Sequence, residues 1–202
     1  MSTCALVPVG RHRIPRALRG LDVLDFTADF TADLESGAYR RLVVLGSFRD
    51  LSLVLTRLLR SDRLDVEVAH VRRAWHARGA LTASATRVPL IRDETGTVLT
   101  DVAYWRPVEG SRTIVGEAIV DDERLFDGEA AGVRIEPTAA MPGLRASVLP
   151  SRMRPARWVG GRAVQLGTTG AIVVRDGDQA ARPVRRSTFY RHTEGWLRVG
   201  PR

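Results

Sequence analysis

The sequence predicts a small parallel α/β domain at residues 1–84, followed by an antiparallel, β-sandwich-like all-β domain at residues 85–202. Three observations point there. Residues 41–71 read as strand, glycine turn, helix and second strand, which is a βαβ unit. Near Thr86 the pattern changes to short alternating runs separated by turn residues. The chain has 202 residues, 44% of them hydrophobic, enough for one large domain or two small ones with their own cores.

The βαβ unit is the best-defined stretch. Leu42 to Leu45 is a continuous apolar run, as expected of a strand buried on both faces of a parallel sheet. Gly46 and Ser47 break it. Leu51, Val54, Leu55, Leu58 and Leu59 then recur at helical spacing and form one apolar stripe. Leu64, Val66, Val68 and Val71 make a second strand rich in β-branched residues. The turn after the first strand faces the carboxyl ends of the strands, where open α/β sheets bind ligands.

Before this unit, Ala5–Val9 predicts a first strand and Leu21–Phe26 a second, with Thr27–Ser36 as a short helix ending at Gly37. The basic stretch Gly10–Arg16 between the two strands reads as a solvated loop that could also cradle a phosphate through N–H groups and arginine forks. After the unit, Arg72–Ala83 is compatible with a helix weakened by Gly79, and it carries Trp75 and His76. In the second half, runs such as Val98–Trp105, Thr113–Val120, Val133–Pro137, Arg162–Leu166 and Pro183–Tyr190 read as strands. Asp121-Asp122-Glu123 reads as a solvated hairpin tip and Asp176-Gly177 as a tight turn. Pro150–Arg157 reads as a basic loop.

Composition excludes several chemistries. All 31 basic residues are arginine, so no Schiff-base lysine, P-loop lysine or Ser–Lys dyad exists. A single cysteine, Cys4, excludes an intramolecular disulfide and a cysteine metal cluster. The four histidines show no metal-ligand spacing, and no metal site is expected from them. No secretory signal or membrane-spanning run is evident, so a cytoplasmic location is the default expectation. The net charge of +8 is uneven: residues 137–202 hold 12 Arg against 3 acids. That asymmetry predicts an anionic partner: nucleic acid, a phosphorylated ligand or a membrane surface. The stretch Arg182–Trp196 interleaves Arg182, Arg185, Arg186 and Arg191 with Phe189, Tyr190 and Trp196, a mix suited to phosphates and stacked bases.

The layout resembles that of the diacylglycerol kinase, sphingosine kinase and NAD kinase superfamily. The turn of those proteins reads Gly-Gly-Asp-Gly-Thr after a hydrophobic strand; here Leu42–Leu45 leads into Gly46-Ser47-Phe48-Arg49-Asp50. Gly46 matches the first glycine and Ser47 replaces the second. Phe48 stands at the Asp position, Arg49 at the next Gly and Asp50 at the Thr. The Asp-Gly-Glu element of the lipid kinases has its counterpart in Asp176-Gly177-Asp178, and no Gly-Thr-Gly-Asn-type loop is present. The resemblance implies a nucleotide contacted by Gly46, Ser47, Arg49 and Asp50, and phosphates held by Arg182, Arg185, Arg186 and Arg191. Asp176 or Asp178 would be the catalytic acid, with ATP and Mg²⁺ as cofactors, if phosphate is transferred. Because Phe48 cannot ligate Mg²⁺, a catalytically degenerate kinase-like protein is expected. The alternatives are a non-enzymatic binder of nucleic acid or anionic lipid through the C-terminal arginines, and a scaffold protein without a ligand.

Overall fold

A computed structural model describes residues 4–10, 12–26, 30, 39–149 and 157–200. The expected helix at Thr27–Ser36, Phe30 excepted, and the basic loop Pro150–Arg157, Arg157 excepted, lie outside the described residues, as does Arg11. The chain forms two compact units: Met1–Val88 with Glu194–Arg202, and Pro89–Thr193.

The first unit begins with β1 (Cys4–Pro8), a 3₁₀ turn at Arg16–Leu18, and β2 (Asp22–Val23). It continues with β3 (Arg41–Leu45), α1 (Phe48–Arg60), β4 (Glu67–Val71), a 3₁₀ turn at Ala74–His76, α2 (Ala77–Thr82) and β5 (Ala85–Val88). β1, β3 and β4 pair in parallel, with Leu6, Val43 and Ala69 in register. Leu42, Val43 and Val44 are fully buried, as a strand covered on both faces requires. α1 buries Leu51, Val54, Leu55 and Leu58. The other face of the sheet is closed by Leu18 from the first 3₁₀ turn and by Ala77 and Ala80 from α2.

α2 starts five residues later than the sequence reading places it. Arg73 has extended dihedrals, residues 72 and 73 form a bend, and a 3₁₀ turn intervenes before regular helix forms. A six-residue helix is marginal by itself. Its carboxyl end is held by Arg41, whose Nη1 donates to the carbonyls of Ala80 (3.1 Å) and Leu81 (2.8 Å) and whose Nη2 donates to Ala83 (3.0 Å). The same guanidinium donates through Nε to Glu67 Oε2 at 2.7 Å. One side chain on β3 thus fastens both β4 and α2.

The second unit is antiparallel throughout. Its strands are β6 (Ile91–Asp93), β7 (Val98–Leu99), β8 (Ala103–Arg106), β9 (Ile114–Val120), β10 (Glu123–Ala130) and β11 (Val133–Pro137). They are followed by β12 (Leu144–Val148), β13 (Val159–Gly161), β14 (Ala163–Arg175), β15 (Asp178–Gln179) and β16 (Val184–Arg191). The 13-residue β14 organises the unit. Its first half pairs with β9 and β16; after a register shift between Gly167 and Ala171 its second half pairs with β8 and β15. The core beneath includes Trp105, Ile135, Val164, Val173 and Phe189. Trp105 satisfies its buried Nε1–H on Ser187 Oγ at 3.0 Å.

The chain then returns to the first unit as β17 (Trp196–Val199), which pairs in parallel with β4 and antiparallel with β5. The first sheet therefore runs β2-β1-β3-β4-β17-β5. β5 and β17, which the simple division at residue 84 assigns to the second domain, lie in this sheet. A parallel-rich α/β unit and an antiparallel β unit make up the fold, the class the sequence predicts.

The Arg41 arrangement yields a stability prediction. Arg41→Ala leaves Glu67 buried beside an unfilled space and frees the α2 carbonyls, so the first unit should lose about 3–5 kcal/mol in urea denaturation. Lysine should restore only part of this, because it lacks the fork that reaches a carboxylate and three carbonyls together. Equal stability of Arg41→Ala and the parent would refute the role.

Candidate functional site

The parallel strands of the first unit end along one edge of its sheet. Three of the connections that leave that edge are residues 9–10 and 12–15 after β1, the Gly46-Ser47 turn after β3, and Arg72-Arg73 after β4. The backbone ties them together, with Val9 N–H donating to Leu45 O (3.3 Å) and Gly46 N–H to Val71 O (3.4 Å).

At the Gly46 turn, Ser47 caps α1. Its Oγ accepts from Asp50 N–H at 3.3 Å, while Asp50 Oδ2 accepts from Ser47 N–H at 2.7 Å and from Ser47 Oγ–H at 2.8 Å. This is a reciprocal capping box. It explains the glycine: a Cβ at Gly46 would overlap Asp50, 2.8 Å from its Cβ and 2.9 Å from its Cγ. On β4, His70 faces the turn. Its Nε2 lies 3.0 Å from Gly46 O and 3.1 Å from Ser47 O. Both partners are carbonyls, so Nε2 carries the proton and donates. Burial holds the His70 pKa below its ordinary value and the nearby Arg72 adds to this, against the two carbonyls and Asp50. The Phe48 ring lies between His70, at 5.3 Å between centroids, and the Arg72 guanidinium, at 4.2 Å above the ring.

The donor set at this turn does not fit Mg²⁺, which needs several oxygen ligands in near-octahedral order. Phe48 offers hydrocarbon and Asp50 is committed to Ser47. Among the described residues no three His, Cys, Asp or Glu side chains gather as a metal site.

On the face of the sheet covered by the 3₁₀ turns and α2, the same edge opens into a groove of about 770 Å³ lined by Pro15, Arg16, Ala17, Ala74, Trp75 and Arg78. Trp75 is 69% exposed, unusual for so large an apolar ring. Arg73 stacks on it at 5.0 Å. Residues 9–10, 12–21 and 72–83, which build the groove and its rim, contain no acid. Composition alone does not single out Arg16, Arg72 and Arg78 from the other arginines; an exposed tryptophan flanked by Arg72-Arg73 and Arg78 is the only local signal.

The remaining sequence-predicted residues lie in the second unit. Asp176 and Gly177 make the two-residue turn from β14 to β15, both with positive φ (46° and 89°), as a hairpin turn of this type requires. The Asp176 carboxylate accepts from Thr100 N–H (2.9 Å), Thr100 Oγ–H (2.9 Å), Asp101 N–H (2.8 Å) and Val102 N–H (3.1 Å). It staples the loop before β8. Burial raises its pKa above the ordinary carboxylate value, with those donors pulling the other way. Asp178 is exposed on β15. Arg182, Arg185 and Arg186 are exposed, while Arg191 donates to Pro142 O at 2.9 Å. Arg185 and Arg186 point to opposite faces of β16. Ser187, bonded to Trp105, is buried and not a nucleophile candidate. Asp121 accepts from the N–H groups of Arg162 and Ala163 at the β9–β10 hairpin tip.

No protein-family model matches the chain, and no curated protein sequence matches it. Solved structures do. A protein from Bacillus anthracis str. Sterne assigned as a diacylglycerol kinase superposes with a TM-score of 0.72 at 11% identity, covering 98% of this chain and 96% of that one. An NAD kinase from Archaeoglobus fulgidus in complex with ATP gives 0.64 at 13% identity, covering 98% and 93%. Yeast NADH kinase complexed with NADH gives 0.57 at 9% identity, covering 90% and 68%. The chain has the fold of these kinases across most of its length.

Two predictions follow from the placement of His70 and Asp176. His70 has a lowered folded pKa, so the stability it contributes is complete above the unfolded value of 6.5 and is lost as pH falls through the folded value. Thermal midpoints should drop between pH 7 and pH 5, and His70→Gln should flatten that drop; an unchanged slope would reject the assignment. Asp176→Asn sets an amide N–H₂ against backbone donors and should cost about 1–3 kcal/mol in denaturant unfolding, where a purely catalytic residue would cost nothing.

Proposed function

We propose that the chain is a kinase-fold protein that binds a nucleotide or other phosphorylated ligand at the carboxyl edge of its parallel sheet and does not transfer phosphate. The observation that carries this reading is the arginine-lined groove at that edge, whose segments 9–10, 12–21 and 72–83 contain no acid, set on a fold shared with proteins solved with ATP and NADH. Positive charge attracts the phosphates, and guanidinium forks bind their oxygens two at a time. A groove of about 770 Å³ is of the size that takes a nucleotide.

Two features support loss of phosphoryl transfer. Transfer needs phosphates held in line and neutralised, generally with metal ions. At the turn, Phe48 occupies the position of the expected acid and Asp50 is engaged by Ser47. In the second unit, the Asp176 carboxylate is engaged by donors from Thr100, Asp101 and Val102, which leaves it poorly placed to accept a substrate proton. The nucleic-acid or lipid reading through Arg182, Arg185, Arg186 and Arg191 has less support, because these arginines do not share one face. No helix among the described residues is long and apolar enough to cross a membrane.

The test is ligand-induced stabilisation. ATP, ADP or NAD at about a hundred times its dissociation constant should stabilise the protein by about 2.7 kcal/mol, with sulfate at equal ionic strength giving less. Incubation with ATP and either NAD or diacylglycerol should give no phosphorylated product. A shift with duplex DNA alone would move the function to the C-terminal arginines, and measurable phosphate transfer would refute the degenerate reading.

A further inference from the structure

Resting on the reading of this edge as a nucleotide or phospholigand site, we propose that it holds its ligand without a divalent cation: Arg16, Arg72, Arg73 and Arg78 meet the phosphate charge, and the exposed face of Trp75 takes the ligand's planar ring. The ligand class is therefore a free, uncomplexed nucleoside phosphate.

Three independent observations converge on this. The first is the donor set. Phe48 supplies only hydrocarbon, and the one carboxylate at the turn, Asp50, has its Oδ2 taken by the Ser47 N–H and Oγ–H, so the turn offers too few oxygens for a near-octahedral metal ion. In place of a cation bridging carboxylate and phosphate, the turn carries one already built in. Arg72 sits 4.2 Å above Phe48, a ring that orients the guanidinium without neutralising it. The second is the field. The segments that form the groove and its rim contain arginine and histidine and no acid. Among the described residues, none of Arg16, Arg72, Arg73 and Arg78 forms an ion pair with a carboxylate. A divalent cation entering this field is repelled, whereas a polyphosphate is attracted. The third is Trp75. A ring that is 69% exposed beside a groove of about 770 Å³ offers a stacking platform, and the Arg73 guanidinium resting on it adds charge where a base joins its phosphates.

The arrangement reverses the usual sign of the magnesium effect. Magnesium cancels part of the charge on ATP and occupies the oxygens that the guanidiniums would bind. Affinity should therefore be higher in EDTA than in excess Mg²⁺, and it should fall as salt rises, because exposed guanidiniums are screened.

The experiment is calorimetric titration of the full chain with ATP, in EDTA and in excess Mg²⁺. It is repeated with Trp75→Ala and with the double variant Arg16→Ala/Arg78→Ala. All three side chains are exposed, so both variants should keep the parent's circular dichroism and melting temperature. Expected are tighter binding in EDTA and a loss of about tenfold for each variant. Binding that requires Mg²⁺, or variants that bind like the parent, would overturn the inference while leaving nucleotide binding in place. Absence of heat with ATP, ADP and NAD under both conditions would remove the nucleotide reading itself, and this inference with it.

Discussion

Arg41 is the constraint on which the first unit depends. It sits at the start of β3, at the end of the sheet opposite the candidate site, and joins Glu67 of β4 to the last carbonyls of α2. A six-residue helix following a 3₁₀ turn has little reason to persist on propensity. Held at its carboxyl end by one guanidinium and along its length by Ala77 and Ala80, it runs back from the carboxyl edge at a fixed angle. That in turn fixes Trp75 and Arg78 at the rim. The position of the exposed tryptophan is thus determined from the far end of the sheet.

Packing and capping fix the shape of the turn after β3. Gly46 is required because Asp50 packs where a Cβ would be, and Ser47 caps the helix that follows. What surrounds them is an aromatic ring, a half-buried histidine whose pKa is held below its ordinary value by burial, and a stacked guanidinium. The second unit shows the same economy: its Asp-Gly turn is a long-range staple, and the Asp93–Arg175 pair joins a fully buried carboxylate to a half-buried guanidinium. Arg175 Nε lies 2.5 Å from Asp93 Oδ2 but off the N–H direction, so charge rather than an aligned hydrogen bond holds that pair.

The sequence makes local structure legible and distant partners illegible, for physical reasons. Leu42–Leu45, the α1 stripe and the alternating runs after Thr86 are periodic signals written in consecutive residues, and they appear as strands and helix. Ser47 and Asp50 have capping-box spacing, which is equally readable as a cap or as ligand contacts; only the hydrogen bonds decide for the cap. An Asp-Gly turn looks the same whether its carboxylate meets solvent or the loop at Thr100, because that partner is more than seventy residues away in the chain. Arg41 reads as the first residue of a strand, with nothing nearby to show that it will cap a helix forty residues later. The expected helix at Arg72–Ala83 overran because Arg72 and Arg73 have good helix propensity, yet they form a bend after β4.

The return of β17 has a consequence for synthesis. β4 is made early, but the strand that pairs with its open edge begins at Trp196. At ~5–20 residues per second, the ribosome leaves that edge unpaired for roughly ten seconds. β5 cannot join the sheet until then either, since its partner is β17. The first sheet is therefore completed only after the strands of the antiparallel unit have been made. During that interval the open edge of β4 presents free backbone donors and acceptors, a template on which another nascent chain can pair.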